Sequence, residues 1–138
     1  MSAGGLERFV EAQEGVYPRA LAELTAGSKA SHWMWFVFPQ IAGLGASPMA
    51  QRYAISGLDE ARAYLRHPVL GPRLVAAATA ALPHAKAGAR RVFGSPDDLK
   101  FRSSMTLFAA ADPAQPVFRQ VLDAYFGGEA DPATLQRL

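Results

Sequence analysis

The sequence predicts an all-α fold: a single compact multihelical domain of about six to eight helices around a central aromatic segment. Three observations carry this. Apolar residues recur at three- and four-residue steps over several segments. Almost every segment boundary holds helix-capping chemistry in place of hairpin turns such as Asn-Gly. No stretch alternates apolar and polar residues over six or more positions. With 138 residues, half of them apolar, the chain can bury one core and is short for two ordinary domains, so residues 1–138 read as one domain.

Leu6, Phe9, Val10, Gln13, Tyr17, Leu21 and Leu24 lie on one helix face. Pro18 cannot sit deep inside a helix, which divides the segment into helices at about 5–15 and 18–26, with Gly15 at the break and Gly27 at the end. After His32 the apolar run Trp33-Met-Trp-Phe-Val-Phe38 stops at Pro39, a length that does not separate strand from helix. A short helix capped by Ser31 is expected, because an otherwise helical protein offers a lone strand no partner. Gly43, Gly45 and Pro48 make a loop, after which Met49 can begin a turn or two.

Ser56-Gly-Leu-Asp59, followed by Glu60, resembles a capping box and predicts a helix at about 58–66. Pro68 opens a further helix that runs through an alanine-rich tail to Leu82, closed by Pro83. Ser95-Pro-Asp-Asp98 combines an N-cap residue, a first-turn proline and two carboxylates at the positive helix end, predicting a helix to about Ala110. Pro116 to Phe126 reads as the next helix, stopped by Gly127-Gly128, and Asp131-Pro132 starts a last short one. The faces at 6–24, 69–82, 99–108 and 117–126 are expected to bury against the segment His32–Phe38, with Leu99, Met105 and Phe108 turned inward.

Composition removes several function classes. The chain has no cysteine, hence no disulfide framework, no thiolate nucleophile and no Cys-type zinc site, which fits a reducing cytoplasm. The first residues lack the basic and apolar regions of a signal peptide, and no apolar run approaches the roughly 18–20 residues that span a bilayer. A cytoplasmic protein with no membrane partner is expected. Charge is uneven: residues 61–110 carry eight Lys/Arg against two Asp/Glu, while the flanking segments are acidic. That pattern suggests a local anionic ligand rather than a uniformly cationic surface for double-stranded nucleic acid, which is not an expected partner. Solvated helix faces give the same pattern, and Lys100 with Arg102 stand out from it.

Two motifs hold most of the chemistry. In His32-Trp-Met-Trp35, indoles offer flat faces to a base or ring and the imidazole can exchange a proton near neutral pH. Core packing explains the same tryptophans, while Lys29 and Gln40 bracket the run with polar groups. In Asp97-Asp98-Leu-Lys100-Phe-Arg102-Ser103-Ser104-Met-Thr106, three hydroxyls within four positions are poor for helix propensity alone. Lys100 with Ser104, and Arg102 with Thr106, stand four apart and can offer a cation and a hydroxyl to a phosphate or carboxylate. Intramolecular pairing with the acidic ends is the alternative.

Other features point away from chemistry. Glu7, Glu11 and Glu14 form a row that reads as a solvated face. His67 and His84 each adjoin a proline and have no second ligand at metal spacing, so no metal site is expected. Gly43-Leu-Gly45 and Phe93-Gly-Ser-Pro96 match no phosphate or dinucleotide fingerprint, and there is no Gly-x-Ser-x-Gly elbow, so no cofactor is expected.

With these motifs in view, the chain resembles the bacterial family catalogued as domain of unknown function 1810, some members of which carry the misleading label calpastatin. The resemblance runs through Arg8-Phe-Val-Glu-Ala-Gln13, Ser31-His-Trp-Met-Trp-Phe-Val-Phe-Pro-Gln40, Gly43-Leu-Gly45, His67-Pro-Val-Leu-Gly-Pro-Arg-Leu74 and Asp98-Leu-Lys-Phe-Arg-Ser-Ser-Met-Thr-Leu-Phe108. It implies a mainly helical single domain and no established activity. Glu7-Arg-Phe-Val-Glu-Ala-Gln13 is also similar to an element of the riboflavin-pathway N-glycosidase-like family associated with NAD and ADP-ribose metabolism, which would make Glu7 the acid or base.

The resulting expectation is a cytosolic protein that binds an anionic, nucleotide-like or ADP-ribose-like metabolite, with hydrolysis of an N-glycosidic bond as its further possibility. Its site would join His32, Trp33, Trp35 and Gln40 to Asp98, Lys100, Arg102, Ser103, Ser104 and Thr106. The alternative is a non-enzymatic interaction or regulatory module that presents the aromatic segment to a protein partner. Single-stranded RNA suits the aromatics and cations, though not a net charge of +2.

Overall fold

The computed structural model describes residues 2–138. In order they form α1 (Ser2–Gln13), α2 (Tyr17–Ala26), α3 (Met34–Val37), α4 (Pro48–Arg52), α5 (Leu58–Arg66), α6 (Leu70–Ala81), a 3-10 helix (Leu82–Ala87), α7 (Ala89–Phe93), α8 (Asp97–Ala111), α9 (Pro116–Phe126) and α10 (Pro132–Leu135). The fold is all-α, with no strand among the described residues. Helix α8 packs against α5, α7, α9 and α10, while α6 packs against α2, α5 and α9.

The aromatic run lies at the centre. Trp33, Met34, Phe36, Val37 and Phe38 are buried, each side chain contributing about 1.5–3 kcal/mol of burial. Phe36 joins one aromatic group through Tyr53 at 5.4 Å, and Phe38 joins another through Phe101 at 4.9 Å. The short helix and the residue that ends it therefore send side chains two positions apart into two parts of the core. Gln13, itself buried, donates from Nε2 to the Phe36 carbonyl at 2.7 Å and so satisfies a backbone group at the end of this short helix.

Several local expectations are corrected. Ser31 does not cap α3: Trp33 occupies that position, and the Ser31 hydroxyl instead donates to Glu23 Oε2 at 2.6 Å. Ser95 does not cap α8 either, since Pro96 precedes the first helical residue and makes no capping bond. The alanine-rich helix begins at Leu70, and His67 Nδ1 accepts from Val69 N and Leu70 N at its start. Pro83 does not end helical structure but lies within the 3-10 turn that continues it, and α7 is an additional helix. Leu99 faces outward at 58% exposure, although Met105 and Phe108 are buried as expected.

At the α5–α6 corner the chain needs glycine. A Cβ on Gly71 would stand 2.0 Å from the Leu65 carbonyl oxygen, so only hydrogen lets the two backbones approach. A second close approach orients the candidate site. Ile41 and Ile55 form an isolated parallel bridge, with Ala42 N donating to Ile55 O and Ile55 N to Gln40 O, both at 2.8 Å. Arg8 fixes the far side of that bridge, donating to the carbonyls of Arg52 and Ala54 at 2.7 Å.

Candidate functional site

Two segments meet beside α8: the loop before α3 and the loop after it. The first is held by Glu23, a half-buried carboxylate on α2. Its Oε1 accepts from Ala30 N at 2.8 Å, Ser31 N at 3.1 Å and Trp33 Nε1 at 2.8 Å. Burial pushes this carboxyl up, but the hydrogen bonds from Ser31, Ala30 and Trp33 outweigh it and hold the group at about 2. Glu23 thus satisfies the indole N–H of Trp33, which is fully buried and has no face free for a ligand.

The two cations nearest the tryptophans behave differently. Lys29 is 7% exposed at its side chain; its Nζ donates to Asp97 Oδ2 at 2.9 Å and to the Ser31 carbonyl at 2.6 Å, 4.9 Å from the Trp33 ring centre. All its capacity is turned inward. Lys100 Nζ lies 3.6 Å from Asp97 Oδ1 and 5.1 Å over the half-buried Trp35 ring, with its side chain 25% exposed. Asp97 therefore bridges two lysines, one buried and one partly exposed.

Lys100 opens into a cavity of about 350 Å³ between the N-terminal half of α8 and the loop 40–47. Gln40, Ser47 and Ser103 line it with polar groups, and Leu44 and Leu99 with apolar ones. The Gln40 carboxamide has no protein partner among the described residues, whereas its backbone carbonyl is fixed by the bridge to Ile55. Ser47 Oγ accepts from Ala50 N at 3.1 Å and retains its own proton for donation.

The predicted constellation is therefore split. Gln40, Lys100 and Ser103 come together at this cavity, while Trp35 does not line it and is linked to it only through the Lys100 ammonium over its ring. His32 is exposed on the loop, Trp33 is core, and Ser104 is fully buried with its Oγ unpartnered; Asp98 Oδ1 is likewise buried without a partner. Arg102, Ser103 and Thr106 serve chiefly to dock the C-terminal segment. Arg102 donates to the carbonyls of Glu129 and Ala130 at 2.9 Å, Ser103 Oγ to Asp131 Oδ2 at 2.9 Å, and Thr106 Oγ1 accepts from Asp131 N at 2.9 Å. Asp131 also caps α10 through Thr134 N at 3.2 Å. Burial pushes the Asp131 carboxyl up, but bonds from Thr134 and Ser103 and the charge of Arg102 bring it below its ordinary value.

Sequence reasoning missed Ser47 and Leu44 because they belong to a loop with no periodicity. It named Lys29 only as a bracket of the aromatic run, and Asp97 only as a helix-start carboxylate. Glu7, Glu11 and Glu14 are exposed, as a solvated row requires, and Glu7 lines none of the cavities described here.

A larger cavity of about 420 Å³ lies on another side of α8, bounded by α9 and the C-terminal segment. Its walls are mainly alanine, leucine and proline, and it holds none of the aromatic side chains and only Thr106 of the predicted set. Volume favours this cavity. The convergence of Lys100 with Gln40, Ser47 and Ser103 favours the smaller one for an anionic, polar ligand, because specificity for such a ligand comes from placed polar groups.

The profile of a family described as "Protein of unknown function (DUF1810)" matches residues 3–138. The crystal structure of the conserved hypothetical protein Rv1873 from Mycobacterium tuberculosis is similar to this chain, with 51% identity, 96% of this chain and 95% of that chain covered, and a TM-score of 0.94. No curated protein matches.

Proposed function

This chain belongs to the DUF1810 family of proteins of unknown function, and from that premise we propose a function on the cavity's chemistry: binding of a small anionic, nucleotide-like metabolite at Lys100. The observation that carries it is an ammonium placed between Trp35 and Asp97, at the wall of a cavity that also presents the unpartnered carboxamide of Gln40. An ammonium has three donors, and Asp97 at 3.6 Å leaves at least two of them for phosphate or carboxylate oxygens. Gln40 can both donate and accept, as recognition of a base or ribose requires, while Leu44 and Leu99 supply apolar walls.

The proposal stops at binding. Hydrolysis of an N-glycosidic bond needs an acid or base within hydrogen-bond reach of the scissile bond. The carboxylate nearest Lys100, Asp97, is already occupied by two lysines. A cytoplasmic location is part of the same reading and rests on composition; in the structure, no helix of the described residues is long and apolar enough to cross a membrane.

The test is thermal unfolding of wild type, Lys100→Gln and Gln40→Ala with AMP, ADP-ribose, NAD and inorganic phosphate. At a hundredfold excess over the dissociation constant a ligand stabilises by about 2.7 kcal/mol. A shift with AMP or ADP-ribose that is lost in Lys100→Gln and reduced in Gln40→Ala supports the proposal. No shift, or one that survives both variants, overturns it. The interaction-module reading is favoured by one feature, the exposed Leu99 at the cavity rim. It predicts a flat screen together with capture of a protein partner that Leu99→Ser abolishes.

A further inference from the structure

The 420 Å³ cavity has a chemistry of its own. Ala109 and Ala110 of α8, Leu122 of α9 and Leu135 of α10 form its apolar walls, and Leu135 remains 51% exposed, an unusual position for a leucine already at a cavity. The polar side chains that line it are Thr106, Gln115 and Arg119. Thr106 Oγ1 accepts from Asp131 N at 2.9 Å while donating to the Arg102 carbonyl, and Gln115 Oε1 accepts from Val117 N at 3.3 Å. Donors also remain on two of these side chains. The Gln115 amide N–H groups are free, and Arg119 keeps N–H groups beyond those directed to the Gly128 carbonyl at 3.0 Å and Asp123 at 3.4 Å. No carboxylate lines the cavity among the described residues.

An apolar pocket whose one charged lining side chain among the described residues is a guanidinium with N–H groups to spare favours an apolar body with an anionic head over one with a cationic head. We propose that this cavity is a second binding site, for a small amphipathic carboxylate: the alkyl or aryl body lies against Ala109, Ala110, Leu122 and Leu135, and the carboxylate faces Arg119. It shares neither Lys100 nor Gln40 with the first cavity, so the two proposals stand or fall separately. A cationic chain of equal length would bury the same apolar surface but bring no acceptor to Arg119 and Gln115, and a neutral alcohol would bring one without charge.

The test uses octanoate, octanol and octylamine, titrated by nuclear magnetic resonance against wild type, Arg119→Gln and Ala110→Phe at pH 7. Octanoate is expected to perturb residues in 106–135 saturably; Arg119→Gln weakens it about tenfold through the lost charge-assisted contact. Ala110→Phe fills the space and abolishes binding. Because a bulky side chain can disturb packing, each variant is first melted, and Arg119→Gln at an exposed position provides the comparison independent of packing. No saturable response to octanoate overturns the proposal, as does an equal response to octylamine or an unchanged affinity in Arg119→Gln. If sedimentation shows a wild-type dimer that Ala110→Phe dissociates, the cavity is covered by a second copy and the proposal also fails.

Discussion

Lys100 and Arg102 stand two residues apart on α8 and meet opposite fates. Arg102 and its neighbours Ser103 and Thr106 are bonded to Glu129, Ala130 and Asp131, whereas Lys100 stands over Trp35 at the wall of an open cavity. Residues two apart on a helix point to different sides, so one polar stretch is divided by geometry into a dock and a site. A dense run of hydrogen-bonding side chains therefore has no single meaning. Each side is decided by what the rest of the chain brings against it: the C-terminal segment on one, the loop 40–47 on the other.

The contrast can be broken most strongly at Asp131. Asp131→Ala removes the α10 cap, leaves the buried hydroxyl of Thr134 without its acceptor and leaves Ser103 only the Leu99 carbonyl; a loss of about 2–3 kcal/mol in urea unfolding is expected. Lys100→Gln on the other side should change stability by no more than about 1 kcal/mol, as for a partly exposed ion pair at 3.6 Å. Equal losses in the two variants would erase the distinction between dock and site.

The adjacent serines sharpen the contrast within one side. Ser103→Ala loses the bond to Asp131 and should cost about 1–2 kcal/mol, less than Asp131→Ala because the α10 cap survives. Ser104 is fully buried with an unpartnered Oγ, so Ser104→Ala removes a desolvated hydroxyl at no bonding cost. It should be neutral or stabilise by up to about 1 kcal/mol, read as an unchanged or raised melting temperature. A large loss in Ser104→Ala would show that its hydroxyl has a partner after all.

Acid tests both regions at lower amplitude. Glu23, which holds the aromatic loop, titrates at about 2 in the folded protein against an ordinary 4.5, and Asp131 in the dock is lowered too. A depressed folded value contributes stability that is complete above the unfolded value and lost as pH falls through the folded one. Stability should therefore decline from about pH 4.5 toward pH 2. Glu23→Gln should flatten part of that decline in a series of unfolding curves, at a lower stability throughout.

Much of the fold was legible from local rules. The helix class, the breaks at Gly15 and Gly27, the last helix begun by Asp131-Pro132 and the central place of the aromatic run all follow from periodicity, capping and hydrophobicity. Local rules failed where a side chain had a better partner at a distance. Ser31 was available as a cap, but Glu23 took its hydroxyl; Leu99 fitted an inward pattern, but no neighbouring element covers it. Part of the candidate site was legible in the same sense: Gln40, Lys100 and Ser103 of its lining, and Trp35 under the ammonium, were named from their chemistry.

The sequence by itself determined that this chain makes an all-α fold with its aromatic run inside, because the period and hydrophobicity of each segment act locally and add up. Only the tertiary structure decided which polar groups remain free. Glu23 and Asp97 commit Trp33 and Lys29 to the interior, and Asp131 commits Ser103 and supports Thr106, while Lys100 and Gln40 keep donors to spare. A hydrogen bond is satisfied by whichever partner is brought within about 3 Å, and at these positions that partner comes from far along the chain.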